Sequence, residues 1–146
     1  MQKENNIDDK VFSFAVVRNP YTRTYSSYHQ YNKANKTNIS FIEYLNNILE
    51  KRISEISPLL HLPMAWYVTD TNNNIQVTKI YKFENIKELE KDLNWELGFY
   101  HIGNYTKEMY VEEYTDIAID IVKKFYALDF SIFGYSNNFE ETLEQK

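Results

Sequence analysis

The sequence predicts an α/β fold in which a short parallel sheet is covered by several helices. Residues 12–17 form an apolar run rich in β-forming residues, as expected of a strand buried on both faces. Asn19 is a favourable N-cap and Pro20 suits a first helical position, so a helix should start directly after this strand. Residues 76–83 form a second candidate strand after the turn-forming run of asparagines at 72–74.

Further helices are predicted along the rest of the chain. A capping box at residues 40–43 begins a helix whose apolar stripe runs to about residue 53. Asn85 is expected to cap a helix that continues to about residue 97, where Gly98 stops it. Thr115 should begin another helix, with Ile117 and Ile121 on its apolar face. Residues 54–64 contain two prolines and are expected to be rich in loops, and residues 129–135 supply an aromatic ending.

One domain accounts for this pattern. The chain has 146 residues, of which 43% are hydrophobic, and this is enough to bury a core. Residues 1–10 are expected to be a disordered polar lead, residues 11–136 the folded domain, and residues 137–146 a frayed acidic tail.

The junction between the first strand and its helix is the candidate functional site. Arg18 would lie at the carboxyl end of a strand and beside a helix N-terminus, where α/β sheets bind ligands and helices attract anions. Thr22, Ser26 and His29 share one helix face, so a phosphate held by Arg18 could also meet the Ser26 hydroxyl. Tyrosines 21, 25 and 28 lie on a neighbouring face that should pack into the core. The alternative is that Arg18 only closes the end of the sheet and Ser26 is an ordinary helix residue.

The pattern Arg-Asn-Pro-Tyr-x-Arg-x-x-Ser-x-Tyr at positions 18–28 resembles the 3′-phosphate-binding segment of carbohydrate sulfotransferases, the family of the Golgi chondroitin and heparan sulfate enzymes and their bacterial relatives. Four later segments resemble that family in the same order: His61-x-Pro63-x-x-x-Tyr67, residues 80–86, His101-x-x-Asn104-x-Thr106, and residues 126–135. The resemblance extends over about residues 11–135.

The resemblance implies a partial P-loop-like sulfotransferase fold and binding of 3′-phosphoadenosine 5′-phosphosulfate (PAPS). Arg18 and Ser26 would contact its 3′-phosphate, and Lys107 is a weaker candidate for a second phosphate contact. Sulfate would pass to a hydroxyl acceptor, expected to be a carbohydrate. Arg23 and Glu84 are expected to be structural.

The sequence departs from the family in one important feature. The family's Lys-x-Gly-(Ser/Thr)-(Ser/Thr) turn, which holds the 5′-phosphosulfate, has no counterpart in the sequence, whose three glycines are Gly98, Gly103 and Gly134. The chain therefore resembles the C-terminal two-thirds of such an enzyme, as expected of a truncated gene, a split gene, a fragment or a reduced homologue. A partner chain is one possible source of the missing segment. The alternatives are a non-catalytic nucleotide-binding or structural remnant that acts with another chain, and a helical interaction module that binds no nucleotide.

The sequence offers three candidates for the general base. They are histidines 29, 61 and 101, because the ordinary pKa of a histidine side chain suits proton transfer near neutrality. His29 is the best placed of them, one turn beyond Ser26, although a single histidine is more often a packing or surface residue.

Composition excludes several other classes of function. The net charge of −5 argues against nucleic-acid binding and makes a long polyanionic acceptor unfavourable. The absence of cysteine and the wide separation of the three histidines predict no metal site. No apolar run approaches the roughly 20 residues needed to span a bilayer, so the prediction is a cytoplasmic protein without membrane contact.

Overall fold

A computed structural model describes residues 11–51, 58–98 and 103–145. The predicted polar lead and His101 lie outside these ranges. Two strands and nine α-helices are present within them: β1 (Phe14–Val17), α1 (Pro20–Asn35), α2 (Phe41–Leu49), α3 (Pro58–His61), α4 (Ala65–Val68), β2 (Lys79–Lys82), α5 (Ile86–Leu93), α6 (Lys107–Glu113), α7 (Asp116–Phe125), α8 (Ala127–Phe133) and α9 (Phe139–Glu144). A short 3-10 helix, Phe83–Asn85, joins β2 to α5.

The two strands form a parallel sheet, so the mixed α/β prediction is confirmed at this level. Phe14 lies opposite Lys79 and Val17 opposite Lys82. The strands are shorter than predicted, and β1 is not buried on both faces, because Val16 is 40% exposed. In a two-stranded sheet both strands are edge strands. Their side chains therefore have fewer neighbours than side chains in the middle of a wide sheet.

The start of α1 is as predicted. The Asn19 side chain accepts a hydrogen bond from the Tyr21 N–H, and Pro20 occupies the first turn. Three tyrosines at helical spacing, residues 21, 25 and 28, are all buried and form the middle of the main core. The ring of Tyr25 packs against Phe41 of α2 at 5.5 Å between centroids. The predicted aromatic core is therefore built around α1.

Several helix boundaries differ from the sequence prediction. α2 ends at Leu49 rather than near residue 53. α5 ends at Leu93, because Asn94 adopts the left-handed conformation (φ 51°) and its N–H returns to the carbonyls of the last turn. The predicted loop around residues 58–64 contains the short helix α3, and α4 follows it directly. α7 begins at its predicted cap, Thr115, but its buried residues are Ala118 and Val122, while Ile117 is 66% exposed.

The predicted frayed acidic tail is wrong. Residues 139–144 form α9, which is capped by the Asn138 side chain. Phe139 and Leu143 are buried, and the Phe139 ring lies 4.7 Å from that of Tyr114. The apolar residues recur at a spacing of four, so a single helical turn places both against the core although two of the three residues between them are acidic. The folded domain therefore extends beyond residue 136.

None of the helices in the described ranges is long and apolar enough to cross a membrane.

Candidate functional site

The carboxyl ends of β1 and β2 meet at one edge of the sheet, and Arg18 lies there. Its guanidinium carbon is 4.7 Å from the centre of the Phe83 ring, which follows β2. Its Nε donates a hydrogen bond to Thr22 Oγ1 at 3.1 Å. These two contacts hold the side chain along the first turn of α1. No carboxylate of the described residues forms an ion pair with it.

Glu84 lies beside Arg18 and joins three elements. Its Oε1 accepts the backbone N–H of Asn19 at 2.7 Å, and its Oε2 accepts the hydroxyl of Tyr135 at 2.7 Å. The predicted structural role fits these contacts, with a backbone amide and a tyrosine as partners in place of an arginine. The carboxylate is thus engaged in fixing the start of α1.

A cleft of about 270 Å³ opens in front of Arg18, lined by Arg18, Asn19, Thr22, Phe83, Glu84, Thr142 and Gln145. Thr142 and Gln145 belong to the C-terminal segment, and Asn19 Nδ2 donates to Thr142 Oγ1 at 3.0 Å. Sequence reasoning missed this wall because it treated the tail as frayed. The spacing of Phe139 and Leu143 is the signal for the helix that carries this wall, but it does not show where that helix packs.

Ser26 and His29 line a second cleft further along α1. Its volume is about 220 Å³, and its other lining residues are Gln30, Lys33, Gly103 and Tyr105. The structure therefore brings Ser26 and His29 together, as their helical spacing predicts. Arg18 lines the first cleft and Ser26 the second, so the two predicted phosphate contacts lie on one face of α1 but in neighbouring clefts.

His29 is packed among aromatic rings. It stacks on Tyr105 at 4.8 Å with an angle of 18° between the planes, and it meets the Tyr25 ring edge-on at 4.6 Å. Burial lowers the pKa of His29. Its Nε2 atom is buried and has no hydrogen-bond partner among the described residues. These contacts favour the packing role that the sequence left open, and a role as base stays a prediction.

The other predicted candidates lie elsewhere. Lys107 begins α6, whose cap is the Thr106 side chain, and it lines neither of the two clefts. His61 is buried, with Nδ1 2.6 Å from the hydroxyl of Tyr44, and it lines neither cleft. Burial and the nearby charge of Arg23 lower the pKa of His61 to about 4. His61 is therefore part of the core.

Arg23 has the structural role that the sequence predicted. It donates to the backbone carbonyl of Leu62 at 3.0 Å and lies 3.9 Å from the carboxylate of Asp129. Asp129 is fully buried and accepts the N–H groups of Met64 and Ala65 at the start of α4. Burial raises the pKa of Asp129, while the two N–H groups and Arg23 oppose that change.

Within the described ranges, no group of three or more histidine or acidic side chains is placed to hold a metal ion. Comparison with protein-family models, with curated proteins and with solved structures found no match to this chain. The residues themselves define a mostly helical α/β domain with a cleft, lined by Arg18 and Glu84, at the carboxyl edge of a two-stranded parallel sheet.

Proposed function

We propose that this chain is the nucleotide-binding part of a PAPS-dependent sulfotransferase with a partial P-loop-like fold. Arg18 and Ser26 contact the 3′-phosphate of the nucleotide, and sulfate passes to a hydroxyl of a carbohydrate acceptor. The observation that carries the proposal is the position of the Arg18 guanidinium, which forms no ion pair with a carboxylate of the described residues, in a cleft where two parallel strands end and α1 begins.

The surroundings of Arg18 suit an anionic ligand. Its side chain is oriented by Thr22 and Phe83, and neither of these residues is charged. The one carboxylate that lines the cleft, that of Glu84, accepts hydrogen bonds from Asn19 and Tyr135. An oriented guanidinium can make two parallel hydrogen bonds to a phosphate, and these are among the stronger polar contacts in proteins.

The direction of the Arg18 side chain supports a shared site with Ser26. The hydrogen bond to Thr22 places the guanidinium level with the first turn of α1, and Ser26 lies one turn further along the same face. The positive charge of Arg18 also acts on Tyr110, whose ring packs against that of Tyr25 with 4.8 Å between the ring centroids. Burial raises the pKa of Tyr110 to about 12, and the charge of Arg18 acts in the opposite direction. The proposal places the 3′-phosphate between Arg18 and Ser26 on this face of α1.

Sulfate transfer makes further demands on the protein. The acceptor oxygen forms a bond to sulfur, the bond from sulfur to the 5′-phosphate breaks, and a base takes the hydroxyl proton. Cationic groups are needed around the moving group, as in phosphoryl transfer. In this proposal the described part of the chain grips the nucleotide, and a partner chain supplies the group that contacts the 5′-phosphosulfate.

Calorimetric titration with adenosine 3′,5′-bisphosphate (PAP) tests the proposed site. The wild-type chain should bind PAP more tightly than 5′-AMP, and Arg18→Ala should weaken PAP binding by about tenfold or more, because a charge-assisted contact is lost. Lys82→Ala is the matched control, since this lysine lies at the same edge of the sheet but does not line the Arg18 cleft. Equal affinity for PAP and AMP, or an unchanged affinity of Arg18→Ala, would contradict the proposal.

A transfer assay separates the enzyme from a non-catalytic nucleotide-binding protein. Radiolabelled sulfate from PAPS should appear on a carbohydrate acceptor when the partner chain is present. PAP binding without any transfer, with the partner shown to be bound, would favour the non-catalytic alternative.

A further inference from the structure

The cleft around Ser26 has an unusual charge for this chain. The sequence carries 21 acidic residues against 16 lysines and arginines, yet none of the six described residues that line this cleft is acidic. The charged residue on its lining is Lys33, which forms no ion pair with the rest of the described chain. The cleft therefore presents a positive charge in an acidic protein.

Lys33 and Ser26 line the same cleft and belong to the same helix. Ser26 and Lys33 are seven residues apart in α1, so they lie about two turns apart on one face. Side chains in an α-helix lean toward its N-terminus, and a lysine side chain is long enough to cover the turn before its own Cα. Lys33 and Ser26 line the same cleft, and the Nε of Arg18 is held at Thr22, one turn before Ser26.

The wall of the cleft is preformed by ring packing. His29 is held between Tyr105 and Tyr25, and the backbone of Gly103 lies directly on the Tyr105 ring, where a Cβ atom would overlap it. The buried Nε2 of His29 has no partner among the described residues. Buried polar atoms without a partner are rare in proteins, and a ligand or water commonly completes them.

An acidic residue lies near this region but not on the lining of the cleft. The charge of Glu113 contributes to the raised pKa of Tyr25 and of Tyr28, after burial, which is the larger cause in both. Burial and the charge of Glu112 raise the pKa of Glu113 itself. Glu112 is exposed and Glu113 is half-buried, and neither is among the described residues that line the cleft, where the charged side chain is that of Lys33.

We infer that Lys33 is the second cation of the nucleotide site and contacts the 3′-phosphate together with Ser26, while Arg18 approaches the same group from the edge of the sheet. This inference rests on the proposed function. A phosphate monoester carries close to two negative charges at neutral pH, so one guanidinium leaves part of its charge uncompensated. Two cations that approach from opposite ends of one helix face would also explain why Arg18 and Ser26 line neighbouring clefts.

The test compares two single lysine variants in titrations with PAP and with 5′-AMP. Lys33→Ala should weaken PAP binding by about five- to twentyfold and leave AMP binding unchanged, because AMP has no 3′-phosphate. Lys33→Arg should retain most of the affinity. Lys123→Ala, which removes an exposed lysine of α7, is the control for net charge. The circular dichroism and melting temperature of each variant confirm that it is folded.

The possible results separate this inference from the proposed function. If Arg18→Ala loses PAP binding and Lys33→Ala binds PAP like the wild type, the inference is wrong and the proposed function stands. If Lys33→Ala weakens PAP and AMP equally, Lys33 contacts another part of the nucleotide and the inference is again wrong. If the wild-type chain does not bind PAP, the proposed function fails, and the inference fails with it.

Discussion

Glu84 accepts a hydrogen bond from the backbone N–H of Asn19 at 2.7 Å, and this hydrogen bond joins the end of β2 to Asn19, the N-cap of α1. Asn19 in turn caps α1 through its side chain and donates to Thr142 of α9. The position of Arg18 therefore depends on contacts from three separate parts of the chain. The cleft is formed by tertiary contacts between these parts and not by a local sequence motif.

Glu84→Ala should lower the free energy of unfolding by about 1–2 kcal/mol, because the Asn19 N–H and the Tyr135 hydroxyl both lose a charged acceptor. Urea denaturation at pH 7 measures this change. The matched control is Glu96→Ala, which removes an exposed carboxylate away from the sheet edge. Equal stability of the two variants would show that the junction does not depend on Glu84.

Leu143→Ala should destabilise the protein by about 2–4 kcal/mol, because Leu143 is only 4% exposed and its removal leaves a cavity in the core. Glu144→Ala, at the neighbouring exposed position, should change stability by less than about 0.5 kcal/mol. Thermal or urea unfolding monitored by circular dichroism compares the two. Similarly small changes in the free energy of unfolding for Leu143→Ala and Glu144→Ala would mean that α9 does not pack on the domain.

Sequence patterns predicted local features of the fold well. The cap of α1 at Asn19, the cap of α7 at Thr115 and the burial of three tyrosines on α1 follow from spacing and capping chemistry, which act within a few residues. The stop of α5 was missed, because Asn94 adopts a left-handed conformation that Gly98 was expected to supply. The fold of the tail was missed because its two anchoring residues gain their stability from distant rings.

The candidate site was predictable only in part. Strand, cap and helix placed Arg18 at the edge of the sheet, and helical periodicity placed Ser26 beside His29. No local pattern could show that Thr142 and Gln145 would line the Arg18 cleft, since they are more than 120 residues away in sequence. Nor could it show that Tyr105 would stack on His29, the expected base.

Protonation of His61 should destabilise the fold in mildly acidic solution. Burial, aided by the charge of Arg23, lowers the pKa of His61 from 6.5 to about 4, so the unfolded chain takes up this proton first as the pH falls. Neutral, buried His61 contributes about 2–3 kcal/mol to the free energy of unfolding. This contribution is complete above pH 6.5 and is lost progressively as the pH falls toward 4.

Urea denaturation between pH 7.5 and about 4 measures this dependence in the wild type and in His61→Gln. The variant should be less stable at neutral pH but lose less stability on acidification, so the difference between the two proteins should shrink as the pH falls. Burial also lowers the pKa of His29, so His29→Gln serves as the second comparison. A constant difference between wild type and His61→Gln at every pH would contradict the assignment.

The most direct test of the nucleotide site is a map of backbone amide shifts in the NMR spectrum as PAP is added to the isotope-labelled chain, with 5′-AMP as the comparison. The account predicts that PAP perturbs Arg18, Thr22 and Ser26 more strongly than AMP does, and that these shifts disappear in Arg18→Ala. Shifts of equal size with both nucleotides, shifts confined to another surface, or no shifts at all would contradict a 3′-phosphate site at the start of α1.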